Sequence, residues 1–330
     1  MQGVILLFNV RTDLALEARE LYVESNRKES DGIEFSQGKQ GEIDMTTVKI
    51  LDEVGAKNMG KPKGTYITIH MPQLTLYDGE IMDKVSRTLA YNIGEMMKVT
   101  KDTVSLVVGL GNWNVTPDAL GPKVISKLMI TRHLKALMPE TIDDEVTSVC
   151  AIAPGVLGIT GIETGEVIRA IVSKIKPNFI ICIDALASRR LDRVNRTIQL
   201  SNTGIAPGAG VGNRRMEINE STVGVPVISI GVPTVVDAAT IASDSIDLVI
   251  DEMIKHSTKG GQFYDMLKSL DKGEKTKMIQ ELLNPYVGDL VVTPKDVDAA
   301  IDSISKIVST GINVALQPSL DMEDINKFLN

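Results

Sequence analysis

Phe179-Ile180-Ile181-Cys182-Ile183-Asp184 is a short apolar run, rich in β-branched residues, that ends in a carboxylate. Its length and composition predict a strand buried on both faces, as in a parallel sheet, with Asp184 at its exit. Downstream stands Leu200-Ser201-Asn202-Thr203-Gly204-Ile205-Ala206-Pro207-Gly208-Ala209-Gly210-Val211-Gly212-Asn213-Arg214-Arg215. Gly204, Pro207, Gly208, Gly210 and Gly212 punctuate this stretch, which has no apolar periodicity and closes on two arginines. A loop this rich in glycine lies close against something, because glycine reaches positive φ and has no Cβ to hold a partner away. A carboxylate at the end of a central strand, beside such a loop, is where open α/β sheets place their chemistry.

The same kind of element recurs on either side. Val104–Val108, Ser148–Ile152 and Val225–Ile230 read as further strands, and Thr65–His70 alternates as a half-exposed one. Leu120–Leu137, Glu163–Lys174, Ile81–Met97 and Asp296–Ser309 have helical spacing, and a helix is expected from Pro233 onward through Asp247–Met253. Asp13–Arg27 is charged and amphipathic, with Leu14, Ala18, Leu21 and Tyr22 at helical spacing, and residues 31–47 read as a loop or a weak hairpin. Strands alternating with helices predict parallel βαβ units in one layered α/β domain. Lys255–Lys277 is polar and reads as an excursion, so a smaller insertion is expected around 255–290. No repeat or low-complexity tract divides the chain.

Composition narrows the function classes. The 330 residues are 43% hydrophobic and 24% charged, ordinary for a globular enzyme. Aromatics are only 4%, which leaves few platforms for stacking bases, and the net charge of −8 argues against direct binding of nucleic acid. Cys150 and Cys182 both sit in apolar strand-like runs and read as small buried hydrophobes. His70, His133 and His256 are scattered, with no CxxC or HExxH, so neither a metal nor a cofactor is expected. Met1–Phe8 is apolar but short, lacks a basic leading region and runs into Arg11 and Asp13. No run reaches membrane-spanning length, and the expected location is cytoplasmic.

The motifs that carry chemistry are carboxylates rather than phosphate loops. Gly109-Leu110-Gly111 and Gly208-Ala209-Gly210 both fail to complete GxGxxG, since the third glycine is replaced by Asn114 and Asn213, and neither is a P-loop. Asp118 follows the Val104–Val108 strand through a turn-rich loop, much as Asp184 follows its own strand. Parallel strands of one sheet exit on the same edge, so the two aspartates are placed to face each other. Paired carboxylates in a crevice separate in pKa, one keeping a proton while the other acts as base, which activates water without a metal. Either aspartate alone reads better as a helix cap or a solvated surface group; the pair at equivalent exits is what points to catalysis. Arg189, Arg190, Arg193, Arg196, Arg214 and Arg215 gather around the same segment of an acidic chain. They form either a solvated face or a site for acidic substrate side chains, which arginine pairs bidentately.

Many short motifs, in order over residues 9–240, resemble the germination protease family of spore-forming bacteria. They include Val10-Arg11-Thr12-Asp13-Leu14-Ala15, Gly60-Lys61-Pro62-Lys63-Gly64, Gly111-Asn112-Trp113, Thr116-Pro117-Asp118-Ala119-Leu120-Gly121-Pro122 and Ala153-Pro154-Gly155-Val156. They continue through Thr160-Gly161-Ile162-Glu163-Thr164, Asp184-Ala185-Leu186-Ala187, the Ser201–Arg215 loop and Gly231-Val232-Pro233-Thr234-Val235-Val236-Asp237-Ala238.

The resemblance implies an α/β/α sandwich around a mainly parallel sheet, similar to hydrogenase maturation endopeptidases. It implies an aspartic-type endopeptidase that degrades small acid-soluble spore proteins in the spore core, with catalytic Asp118 and Asp184. It further implies a homotetramer made as a self-processing zymogen. The substrate pattern of such enzymes, an acidic residue, a bulky apolar one, Ala, a variable residue and Glu, is matched by Asp13-Leu14-Ala15-Leu16-Glu17. Residues 1–13 would then be a propeptide, cut between Asp13 and Leu14, and 14–330 the peptidase. Arg189, Arg190, Arg214 and Arg215 are the candidates for reading acidic substrate side chains. The segment before Val10 departs from the family pattern in being short and apolar. Two other readings stay open: a metal-dependent maturation endopeptidase of similar fold, and a non-catalytic phosphate- or nucleotide-binding module built on residues 204–212.

Overall fold

A computed structural model describes residues 12–73, 75–138, 140–208, 215–269, 281 and 290–329. Among them a single mixed sheet runs through the molecule in the order β1-β2-β3-β7-β8-β6-β4-β5. The strands are β1 Ile33–Gln40, β2 Ile43–Ile50, β3 Gly64–His70, β4 Val104–Gly109, β5 Ser148–Ile152, β6 Phe179–Ser188, β7 Thr197–Ser201 and β8 Val227–Asp237. A short β9, Val291–Val292, pairs the end of β8. The β5-β4-β6-β8 half is parallel, and β7, β3, β2 and β1 extend it as an antiparallel arm. Flanked by helices on both faces, it is the α/β fold expected from the alternation of elements.

Residue parity assigns the layers, because successive side chains of a strand point to opposite faces. Phe179, Ile181 and Ile183 of β6 join Val107, Ile228 and Ile230 in one core under the helices Gly79–Met96 and Val297–Leu316. Those helices interlock closely: a Cβ on Gly311 would stand 2.8 Å from a Leu89 methyl. The alternate residues Ile180 and Cys182 face the other way, with Leu106, Val108 and Val227, under the helix Thr164–Ile175. On that second face the arm has its own cover. Val48, Ile50 and Tyr66 pack against the helices Ala15–Asn26 and Glu53–Met59. The two covers do not meet, so the sheet surface between them, over the later parts of β6, β8 and β7, is left open.

Several expectations need correction. The apolar stretch Leu120–Leu137 is two short helices, Leu120–Ile125 and Arg132–Leu137, because the chain turns before Thr131 anchors onto β5 through Thr131 N–H to Val149 O. Residues 31–47 belong to a fully paired hairpin of β1 and β2, not a weak one. Pro233 lies inside β8, which runs on to Asp237, and the helix begins only at Ala238. Pro233 is tolerated because β7 pairs β8 only as far as Gly231, so no ladder bond on that side needs its missing N–H, while its carbonyl there accepts from Asn195 N–H. The helix expected over Asp296–Ser309 runs on to Leu316, and it is not the last, because a helix Met322–Leu329 follows it. Of the expected insertion at 255–290, residues 270–280 and 282–289 lie outside the described residues, and Gln262–Ser269 is helical.

Ile304 is fully buried between the Val297–Leu316 helix and the sheet, on the face away from the open surface. Ile304→Ala should lower stability by roughly 2–5 kcal/mol, the usual cost of an aliphatic side chain removed from a packed core. Urea unfolding of the variant and the parent chain measures it.

Candidate active site

The open surface is a cleft of about 990 Å³. Its floor is the sheet itself, where Asp184, Gly231 and Gln199 stand opposite one another on β6, β8 and β7. The floor exists because β6 outruns its neighbour. β4 pairs β6 only as far as Gly109 opposite Ile183, while β6 stays paired with β8 to Ser188. Asp184 is therefore not at the strand's exit, as its sequence position suggested; it is inside a longer strand, at the point where β4 stops.

Asp118 reaches the same cleft from the loop that follows β4. It ends the single 3-10 turn Thr116–Asp118, and its carboxylate accepts from Asn112 N–H at 2.8 Å. It does not cap the helix Leu120–Ile125, whose N-terminal residue Ala119 has no side-chain cap. Gly111 makes this tight loop possible. Its φ is +110°, and a Cβ there would meet Asp118 O at 2.0 Å. The structure thus brings together the two aspartates picked from the sequence, 66 positions apart.

A third carboxylate lies with them. Asp13 is held against the free edge of β6: its N–H donates to Ala187 O at 2.9 Å, and its carboxylate accepts from Ala187 N–H at 2.8 Å. The helix begins at Ala15, Leu14 at its N-terminus is extended with φ −82° and ψ 125°, and Asp13 caps nothing. The Asp13–Leu14 peptide therefore precedes the helix, so no helical turn has to open to expose it. Lys61, which sequence reasoning had not picked, donates from Nζ to Thr12 O at 3.4 Å and lines the cleft.

The environments separate these groups. Burial pushes Asp118 up to about 6, against the opposing Asn112 N–H. Asp184 is raised well above the usual carboxylate range, first by burial and then by the charges of Asp118 and Asp13. Burial also raises Asp13, which Lys61 and the Ala187 N–H hold down in part. Lys61 is lowered by burial and supported by Asp13 and Glu17. Asp184 thus keeps its proton under conditions in which Asp118 is ionised.

The arginines divide. Arg189 and Arg190 give their backbone N–H groups to the Glu17 carboxylate, at 2.6 and 3.0 Å. Their guanidinium groups pair with Asp244 at 3.3 Å and Asp192 at 2.7 Å. Arg193 bridges Glu17 and Glu20. Neither Arg189 nor Arg190 lines the cleft, whereas Arg215 does; Arg214 lies outside the described residues. The described part of the glycine-rich loop, 204–208, forms one wall. Sequence reasoning also missed Gln199. Its signal was present in Thr197-Ile198-Gln199-Leu200-Ser201, where Ile198 and Leu200 enter the core and the alternate polar residues must share a buried opposite face. Among the described residues no group of three or more His, Cys, Asp or Glu is placed to hold a metal ion, and no helix is long and apolar enough to cross a membrane.

A family model described as germination protease matches residues 13–260 and 251–329. The chain belongs to the germination protease family. It is 62% identical to a germination protease of Clostridium tetani, over 98% of this chain and all of the relative. It is 52% identical to one of Caldanaerobacter subterraneus subsp. tengcongensis, over 99% of this chain and all of the relative. A germination protease of Bacillus cereus is 41% identical over 97% of each chain. The chain is accordingly a peptidase, with protein chains as substrates, and the cleft is the described feature that holds paired carboxylates.

Protonation of the site couples to folding. From pH about 4, where an aspartate of the unfolded chain ionises, up to about 6, folded Asp118 holds a proton that the unfolded chain has lost. Stability therefore falls as pH rises through this window. Asp118→Asn should gain stability relative to the parent on going from pH about 4 to about 7, by on the order of 2 kcal/mol. Denaturant unfolding at the two pH values measures the gain; equal differences at both would contradict the raised pKa.

Proposed function

We propose that the cleft is the catalytic centre of an aspartate-dyad endopeptidase that starts the degradation of small acid-soluble spore proteins at germination. One observation carries this reading. Asp118 and Asp184 share a cleft in which burial and mutual repulsion leave one ionised and the other protonated. The Asp118 carboxylate takes a proton from water as the oxygen adds to the peptide carbonyl carbon. Asp184 gives its proton to the carbonyl oxygen. Collapse of the tetrahedral species breaks the C–N bond, the proton held on Asp118 goes to the leaving amine, and Asp184 recovers its own. Asp118→Asn and Asp184→Asn should each abolish peptide cleavage while leaving the chain folded.

In the same reading residues 1–13 are a propeptide, and the chain is a zymogen that cuts itself between Asp13 and Leu14. The support is that Asp13–Glu17 fits the substrate pattern and that Asp13 lines the cleft, held against Ala187, with Leu14 buried next to it. Incubation of the purified chain at mildly acidic pH should remove the first thirteen residues, read by intact mass. Asp184→Asn should remain whole; loss of the same fragment from that variant would exclude self-cleavage. The chain is further proposed to work as a homotetramer in the cytoplasm of the spore core.

Substrate acidity is proposed to be read by Arg215, the cleft-lining member of the arginine group, with Arg214 as its neighbour in sequence. Arg189 and Arg190 act instead through the chain's own carboxylates. Arg215→Glu should raise KM for glutamate-bearing peptides more than it lowers kcat. Equal cleavage of Glu- and Gln-bearing peptides by the parent chain would count against any such arginine.

A further inference from the structure

The carboxamide of Gln199 touches the chain on both sides of the Asp13–Leu14 bond. Nε2 donates to Asp13 O at 3.2 Å, and Oε1 accepts from Ala15 N–H at 2.7 Å. Gln199 is buried, with only 7% of its surface exposed, yet it lines the cleft. On the sheet it stands opposite Gly231, which in turn stands opposite Asp184. Residues in register on neighbouring strands project to the same face, and strands lie about 4.8 Å apart, so Gln199 and Asp184 rise on one face from backbones roughly 10 Å apart, with the Leu186 side chain packed over Gly231 between them. The acid and the amide donor thus line one cleft from two sides of Leu186, and the Asp13 carbonyl held by Gln199 belongs to a residue that lines it too.

We propose that Gln199 is a catalytic residue, whose Nε2–H polarises the carbonyl of the bond being cut and stabilises the negative charge that forms on its oxygen. As water adds to the carbonyl carbon, with its proton going to Asp118, the π electron pair of the C=O bond moves onto oxygen. That oxygen has two acceptor directions. Gln199 supplies a hydrogen bond along one of them and Asp184 its proton along the other. Gln199 itself loses no proton.

The donor is oriented before any reaction. Ala15 N–H can only donate, so it fixes Oε1 on its own side and turns Nε2 toward the carbonyl. Ala15 lies beyond the processed bond and remains after residues 1–13 leave. Nε2 is then left facing the place of the Asp13 carbonyl, where the carbonyl of an incoming peptide would lie. A donor already aimed at the site of developing charge needs no reorganisation during the step, which is what makes such groups effective.

The inference rests on the dyad and on the Asp13–Leu14 cut proposed above, and its test separates them. Full-length parent chain, Gln199→Met and Gln199→Glu are incubated at mildly acidic pH, followed by intact mass, and then given a synthetic peptide of residues 9–20. Gln199→Met should process itself about a hundredfold more slowly, and once processed should cut the peptide with kcat about a hundredfold down. Its KM should stay within about threefold of the parent's. Gln199→Glu keeps the acceptor for Ala15 N–H but donates only when protonated, so its deficit should shrink as pH falls from about 7 to about 5. A glutamine that only pins the N-terminal segment would not affect an added peptide. A processed Gln199→Met with kcat within about threefold of the parent overturns the proposal. So does a Gln199→Glu deficit that is unchanged by pH, and this variant carries the test if Gln199→Met does not fold. A parent chain that releases a fragment other than 1–13 defeats the processing assignment alone, because the kcat comparison on the added peptide still decides the role of Gln199.

Discussion

β6 is longer than the strand beside it, and the site depends on that mismatch. Where β4 ends at Gly109, the backbone of β6 loses a partner on one side but keeps β8 on the other. A buried N–H cannot be left unpaired without a cost comparable to a lost hydrogen bond. The freed groups are met by carboxylates: Ala185 N–H by Asp184 itself, Ala187 N–H by Asp13, and Arg189 and Arg190 N–H by Glu17. The same overhang that needs acceptors thereby gathers acidic groups along one edge, and the loop after β4 adds Asp118. The N-terminal segment is drawn into the cleft by this backbone demand.

Charge in the cleft is balanced unequally. Asp13, Asp118 and Asp184 share it with Lys61, and Glu17 stands behind, neutralised by Arg193. Several carboxylates in a poorly solvated space cannot all ionise, so the most enclosed one, Asp184, retains its proton. Asp118, nearer solvent and hydrogen-bonded by Asn112, ionises more readily. The difference in protonation between the two aspartates thus follows from depth in the fold. Loss of Asp13 in the proposed processing would remove a carboxylate from beside Asp184 and leave Lys61 with Glu17, and so would alter the electrostatics of Asp118 and Asp184.

The arginine cluster illustrates how composition and structure divide the explanation. Six arginines around Asp184 in an acidic chain suggest recognition of acidic ligands. In the fold, the Arg189 and Arg190 N–H groups and the Arg193 guanidinium brace the end of β6 against the helix Ala15–Asn26 through Glu17 and Glu20, while the Arg190 and Arg189 guanidinium groups pair with Asp192 and Asp244. They answer acids of the same chain. Sequence proximity to Asp184 reflected the strand end they stabilise, and Arg215 lines the cleft because the antiparallel bridge of Ile205 with Ile218 holds its segment beside the wall.

What the sequence determined by itself was local and periodic. The apolar run 179–183, the regular strand–helix alternation after residue 103 and the order of the motifs sufficed for the α/β class, the family and the pairing of Asp118 with Asp184. Each depends on residue spacing along one element or on parallel strands sharing an edge. The tertiary structure alone decided the rest. Whether Asp184 ends a strand or lies within one depends on where β4 stops, which no property of residues 179–188 encodes. The contacts of Gln199 and Lys61 depend on Thr12, Asp13 and Ala15 being brought to the sheet from the start of the chain. A glutamine in a strand and a lysine after a helix have many ordinary uses. Only the contact between distant segments, set by the sheet order and the gap between two helical covers, selects one.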